Sequence, residues 1–474
     1  MSISQDLQKH RKILYERMRD RLETITSINR RLVSFQANKH VPLYRWFKYK
    51  EGFSSALVNY FLENYHKTSG RLLDPFAGMG TTLFSGQELG WQSVGIELLP
   101  VGIFAISARE AAKHLRAVDV GNAFCQIWNR MAKIEPKSVF QHLSITKDAF
   151  AAETEDQLNR YTIACDSLAD ENLKTILKFA AFSVLEEISF TRKDGQYLRW
   201  DYRSQRQLSG KPFDKGKILS FEEAVKNKLH IILDDLSSKG DFPLFEQMEM
   251  KKERNDCFPL QLHEGSCLEI LPTLDDKSFD FIMTSPPYCN RYDYTRTYAL
   301  ELAWLNRDND DIKKLRQAML SCTVENKEKT HSLEKYYSSV NKTAWFRKVN
   351  KVYDSCHAMS EVNEVLDELN RHNLLNNKNI PRMVKNYFFE MCFVVSEMSR
   401  VLKSNGYCVM VNDNVRYGGE EVPVDLILSS FAEDFHFDVQ KIFVLPQGKG
   451  NSSQQMGCYG RSEIRKCVYL WQKK

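Results

Sequence analysis

Apolar and polar positions along this chain change period several times, and each change marks an element. Between Ser4 and Leu32, the residues Leu7, Leu14, Met18, Leu22, Ile25, Ile28 and Leu32 recur at helical spacing, which puts them on one apolar face. The other faces carry Lys9, Arg11, Lys12, Arg17, Arg19, Arg21 and Arg30. This predicts one long N-terminal helix, packed on the body or serving as a dimer helix or a basic arm. A further helix is expected from Ser54 to Tyr65. Then short apolar runs alternate with helical patterns. Arg71 to Asp74 reads as a strand, Gly78 to Gly90 turns into a helix, Ser93 to Glu97 is a strand, and Pro100 to Leu115 is a helix. That alternation predicts an open parallel sheet.

The alternation lapses from about Val118 to Asp256. Mostly helical segments there surround an aromatic-basic patch, Phe190 to Arg203. Strands resume at Pro259–His263 and Phe279–Thr284. A second interruption, about Asn306 to Pro381, is polar, rich in Asn and Lys, and helical in pattern. A helix at Tyr387–Leu402 and strands at Tyr407–Asn412, Val439–Leu445 and Lys466–Trp471 complete the series. Seven strands remain once both interruptions are lifted out. The expected division is a helix over 1–40, core segments over 41–117, 257–305 and 382–474, and insertions over 118–256 and 306–381.

With 474 residues the chain suits two or three structural units, or one domain with large insertions. Its 43% apolar and 27% charged residues are ordinary for a globular protein. No apolar run reaches the length of a membrane span, and the charged N-terminus lacks a signal core, so a cytoplasmic protein is expected. Eleven scattered cysteines without a C-x-x-C pair predict small buried residues and no metal site. A net charge of +5 is compatible with binding phosphates and does not require it.

Candidate chemistry sits at strand ends. Asp74-Pro75-Phe76-Ala77-Gly78-Met79-Gly80-Thr81-Thr82 leaves the first core strand and opens a helix. Gly78 and Gly80 permit positive φ and close approach of the backbone to a ligand. Thr81 and Thr82 suit helix capping, and free N–H groups at the helix start favour a ligand carboxylate. The string lacks the Gly-Lys-Ser/Thr ending of a P-loop and the third glycine of a dinucleotide fingerprint. Glu97 closes the next strand, where a carboxylate can accept both hydroxyls of a ribose; taken alone it reads sooner as a surface glutamate. Ser285-Pro286-Pro287-Tyr288 follows the buried run Ser278–Thr284. The prolines end that strand. A hydroxyl, a carbonyl and an aromatic ring emerge there, three groups that can hold a planar base by its exocyclic amine and its face.

Together the two motifs resemble the S-adenosylmethionine-dependent DNA amino-methyltransferases. The resemblance implies a Rossmann-like, seven-stranded methyltransferase sheet with two mainly helical insertions. It implies S-adenosylmethionine as cofactor, held by Asp74, Pro75, Phe76, Ala77, Gly78, Gly80, Thr81, Thr82, Glu97 and Leu98. The family usually carries Gly-Asp beyond the third strand, and this chain has Gly265-Ser266-Cys267 instead. Ser266 and Cys267 are the corresponding cofactor candidates. Trp46-Phe47-Lys48-Tyr49 resembles the family's extra motif beside the cofactor's methionine end, through Trp46 and Lys48; a hydrophobic hinge is the other reading. Ser285, Pro286, Pro287 and Tyr288 would be catalytic. Serine in first place goes mainly with cytosine N4, with adenine N6 as the alternative. The substrate implied is double-stranded DNA with a flipped base, and the partner implied is a cognate restriction endonuclease.

Arg192, Lys193, Gln196, Arg199 and Arg203 in the first insertion, with Arg291 and Arg296 after the catalytic motif, are the expected DNA contacts. The family's groups with the cofactor half leading put the recognition region elsewhere. A polar loop at Gln447–Gln455 invites a DNA contact or is a plain turn. The rivals are an RNA base methyltransferase, which more often has Asn-Pro-Pro, and a non-catalytic nucleic-acid-binding protein with the same fold.

Overall fold

A computed structural model describes residues 8–66, 68–135, 141–195, 197–206, 211–237, 259–446 and 464–474. Leu7, Gln196 and the Gln447–Gln455 loop lie outside the described residues. The strands are β1 (Leu22–Thr24), β2 (Arg71–Asp74), β3 (Gln92–Glu97), β4 (Thr191–Asp194), β5 (Tyr197–Trp200), β6 (Gln261–Glu264), β7 (Phe279–Thr284), β8 (Leu402–Asp413), β9 (Val415–Tyr417), β10 (Glu420–Val422), β11 (Phe437–Val444) and β12 (Lys466–Lys473). The central sheet has eight strands, not seven, in the order β1-β11-β12-β8-β7-β2-β3-β6. It is parallel apart from the pairings of β12 with its two neighbours.

The eighth strand overturns the single N-terminal helix. Helix Lys9–Met18 ends in a tight turn at Arg19–Arg21, and β1 then pairs in parallel with β11 at the sheet edge. The helical spacing misleads because it mixes two faces. Leu14 and Met18 pack on one side of the sheet, while Ile25 and Ile28 pack on the other, against helix Ser55–Tyr65. The segment wraps around the edge and caps what would otherwise be an open strand.

Alternation along the strands sorts the two faces. In β8, Cys408 and Met410 face the long helix Ile380–Val401, while Val409 and Val411 face the opposite layer. That helix begins before Tyr387, so the expected boundary between 381 and 382 falls in its first turn. The 118–237 region contributes helices packed in a further core with helix Pro100–Ala112, plus the two-stranded ribbon β4–β5.

Chain order sets the site. From β2 the chain moves to β3 and β6 on one side, and β7 then returns to pair with β2 on the other. A crevice opens where the direction reverses, at the carboxyl ends of β2 and β7. The glycine loop leaves one strand there and Ser285–Tyr288 leaves the other.

Candidate active site

Thr284, the last residue of β7, donates its Oγ1 to Asp74 Oδ1 at the end of β2, at 2.7 Å. This buried contact joins two motifs that are far apart in the chain. Asp74 Oδ1 also accepts from the Phe76 N–H at 3.0 Å. Burial raises the Asp74 carboxyl to about pKa 6, against the pull of its donors Thr284, Thr82 and the Phe76 amide.

Beyond Asp74 the loop is clamped from three sides. Gly78 sits at φ +55° and Gly80 at φ +81°, conformations that glycine takes at least cost. The Gly78 N–H donates to Glu97 Oε2 at 2.6 Å, and the Leu99 N–H to Glu97 Oε1 at 2.7 Å. Arg109, buried in helix Pro100–Ala112, donates to the Met79 carbonyl at 2.8 Å. Burial lifts Glu97 to about pKa 7; the two amides oppose the shift and the Asp74 charge adds to it.

These groups line one cleft. Asp74, Pro75, Phe76, Ala77, Gly78 and Thr81 line it, together with Glu97, Leu98, Ser266 and Cys267. Ser285 and Pro287 line it as well. Ser285 Oγ donates to the Val411 carbonyl at 3.1 Å and lies 3.4 Å from the Tyr288 hydroxyl. Burial holds the Tyr288 hydroxyl far above its ordinary pKa, so it stays protonated. Gly80, Thr82, Pro286 and Tyr288 shape the loops without lining the cleft.

The chain is 45% identical to the Type II methyltransferase M.AvaI of Nostoc sp., across all of this chain and 95% of that protein. It is 42% identical to the Type II methyltransferase M.BsoBI of Geobacillus stearothermophilus, across 95% of this chain and 90% of that protein. No protein-family profile and no solved structure matches it. The chain belongs to the Type II methyltransferases.

In this Type II methyltransferase the cleft includes residues that the sequence motifs do not single out. Tyr49, Glu51, Gly52 and Phe53 line it, whereas Trp46 and Lys48 do not. Trp46 is fully buried and its indole N–H donates to Asp235 at 2.7 Å, while Lys48 is exposed. The aromatic motif therefore reaches the cleft through Tyr49, which stacks on Tyr298 with ring centroids 5.2 Å apart. Glu51 accepts from the Tyr298 hydroxyl. Ala318, Met319 and Leu320 close a further wall, where Ser266 Oγ donates to the Ala318 carbonyl at 2.9 Å. No local signal announces that wall. It is held from behind by Glu390, fully buried, which accepts from Ser321 and pairs with Lys329 at 2.8 Å.

Gly102 is a further close-approach position. A Cβ there would lie against the Gly78 carbonyl oxygen inside contact distance, and 3.0 Å from Glu97 Cγ. Gly102→Ala should push the glycine loop outward at a cost of about 1–3 kcal/mol. Calorimetric titration should then show weaker binding of the cleft's ligand in a protein that still folds; unaltered affinity would mean the loop moves independently of the helix.

The expected DNA contacts fall into different settings. Arg192 and Arg199 are exposed on the ribbon β4–β5. Lys193 is not: it is buried, and its ammonium pairs with buried Glu301, which leaves it no free face for a phosphate. Arg203 is tied to Asp201 at 2.6 Å and to the Gly216 carbonyl. Arg291 donates to Asn376 and Arg296 to Glu325, so both are engaged within the protein. Among the described helices none is long and apolar enough to cross a membrane.

Proposed function

We propose that this Type II methyltransferase moves the methyl group of S-adenosylmethionine to the exocyclic N4 amine of a cytosine flipped out of duplex DNA. In this reading it is the modifying half of a restriction-modification pair with a cognate endonuclease. The observation that carries it is the shared cleft: the glycine loop, Glu97, Ser285 and Pro287 all line one space, tied by the Thr284–Asp74 contact.

Charge supports the donor. Three carboxyl side chains, Glu51, Asp74 and Glu97, line the cleft, and among the described residues no Lys, Arg or His does. A polyphosphate ligand would meet uncompensated repulsion there, whereas a sulfonium with an ammonium group is attracted. S-adenosylmethionine supplies an electrophilic methyl group on that sulfonium. Glu97 would hold its ribose hydroxyls. The amides at the start of helix Thr81–Glu88 would favour its carboxylate.

Ser285 Oγ commits its proton to the Val411 carbonyl, which turns an oxygen lone pair toward an incoming N–H. The Pro286 carbonyl takes the second N–H. These two acceptors draw the amine out of conjugation with its ring, so that its lone pair meets the methyl carbon. The bound donor would supply the methyl as an electrophile, the S–C electron pair staying on sulfur as the N–C bond forms. The nitrogen then sheds a proton to solvent. Tyr288, neutral and against Ser285, supplies a flat face for the base. Positioning and an apolar surrounding carry the rate, and no covalent enzyme intermediate is needed.

Nucleoside mass spectrometry of unmethylated bacterial DNA and RNA, incubated with the protein and labelled S-adenosylmethionine, tests this. The expected product is N4-methylcytosine in DNA. N6-methyladenine would keep the site and change the base. Label in RNA alone would change the substrate class, and cofactor binding without label would leave a non-catalytic protein.

A further inference from the structure

We infer that the ribbon β4–β5 is the base-reading element, entering the major groove with Arg192 and Arg199 as its readers. This rests on the DNA reading above. The register pairs Thr191 with Trp200, Arg192 with Arg199, Lys193 with Leu198 and Asp194 with Tyr197. Thr191, Lys193 and Leu198 are buried on the inner face. The outer face therefore holds two guanidinium groups directly opposite each other, with Tyr197 beside them at 58% exposure. Like charges opposed across a strand pair destabilise it. Asp194 offsets only part of that cost, 3.4 Å from Arg199. A polyanion supplies the missing counter-charge.

The inner face fixes where the ribbon points. Lys193 pairs with Glu301, on the helix Ala299–Trp304 that follows the catalytic loop, and its ammonium lies 4.4 Å over the Tyr298 ring. Lys50, next to the cleft-lining Glu51, donates to the Lys193 carbonyl at 2.7 Å. β5 packs against the short helix Tyr294–Thr297, whose Tyr294 lines the cleft. Side chains on the outer face are thus rigidly placed relative to Ser285. The Arg199 guanidinium lies 4.0 Å over the Phe213 ring, which fixes its plane. A two-stranded ribbon fits the major groove, and a planar arginine fork matches the O6 and N7 edge of guanine.

The test starts with the wild-type protein and labelled S-adenosylmethionine on unmethylated duplex DNA, with the modified site read by sequencing. Absence of label at this step overturns both the DNA reading and the ribbon's role, before any variant is made. Arg192→Gln and Arg199→Gln are then compared with wild type by kcat/KM on that site and on each single-base-pair variant of it. Both residues are exposed, and unchanged cofactor affinity verifies the fold. The expected result is a loss of about 5- to 150-fold in discrimination at one G·C pair per arginine, with better tolerance of A·T there, since glutamine suits adenine. A uniform loss on every sequence, with the salt slope reduced by about one, would make the arginines phosphate contacts and overturn the inference. An unaltered ranking at an unaltered rate would overturn it too.

Discussion

Ser285→Ala is expected to lower single-turnover methyl transfer by about 10²–10³-fold, the range seen when one preorganised hydrogen-bonding partner is removed from a reacting centre. Cofactor affinity should stay nearly unchanged. The residue lines the cleft, as Pro287 does, and carries no charge, so its loss removes little donor binding. What it removes is an acceptor. With its own proton given to the Val411 carbonyl at 3.1 Å, the hydroxyl oxygen presents lone pairs to the amine, and alanine presents none. Rapid-quench kinetics with saturating DNA separate this from a binding defect. A variant that reacts at the wild-type rate would take Ser285 out of the reaction. One that loses cofactor affinity would place it in the donor's own contacts.

The sequence makes the strand ends readable because each is marked by chemistry that a strand interior rejects. Asp74-Pro75 and Ser285-Pro286-Pro287 stop their strands at the same edge, and β2 and β7 lie where the apolar runs put them. Errors arise where one period serves two surfaces. Leu14, Met18, Ile25 and Ile28 keep helical spacing, yet the chain leaves the helix after Met18 and crosses the sheet edge. Lys193 looked like a DNA contact because the patch was weighed by composition. Period-two alternation along β4 puts it on the inner face with Thr191, where an ammonium needs a buried partner. The wall at Ala318–Leu320 follows no local rule. It is made by a tertiary contact through Ser266, and nothing in either segment names the other.

Glu97→Ala should weaken S-adenosylmethionine binding by roughly 10- to 150-fold, since hydrogen bonds to a charged group are worth about 1.5–3 kcal/mol. The carboxylate does two jobs. It braces the Gly78 and Leu99 amides, and on the proposed reading it accepts the ribose hydroxyls. Removing it loosens the loop and empties the ribose end together. Glu97→Gln keeps an acceptor oxygen but sets an NH2 group against one of those amides, so it recovers only part of the affinity. The same group makes binding depend on pH. In the folded protein the Glu97 proton leaves near pKa 7, against an ordinary glutamate value of 4.5. Between those values the folded state binds more protons than the unfolded chain, so stability of the ligand-free protein falls as pH rises through that window. A cationic ligand that needs the carboxylate shows the opposite slope. Its affinity should climb as pH rises from about 5 to 7, by up to about tenfold per unit for one released proton, and level off above. Asp74, which titrates near pKa 6, steepens the lower half of that rise. Calorimetry in buffers of differing ionisation heat counts the proton released. Glu97→Ala should abolish the upper part of the slope and leave the Asp74 part, while an undiminished slope would move the proton to another group.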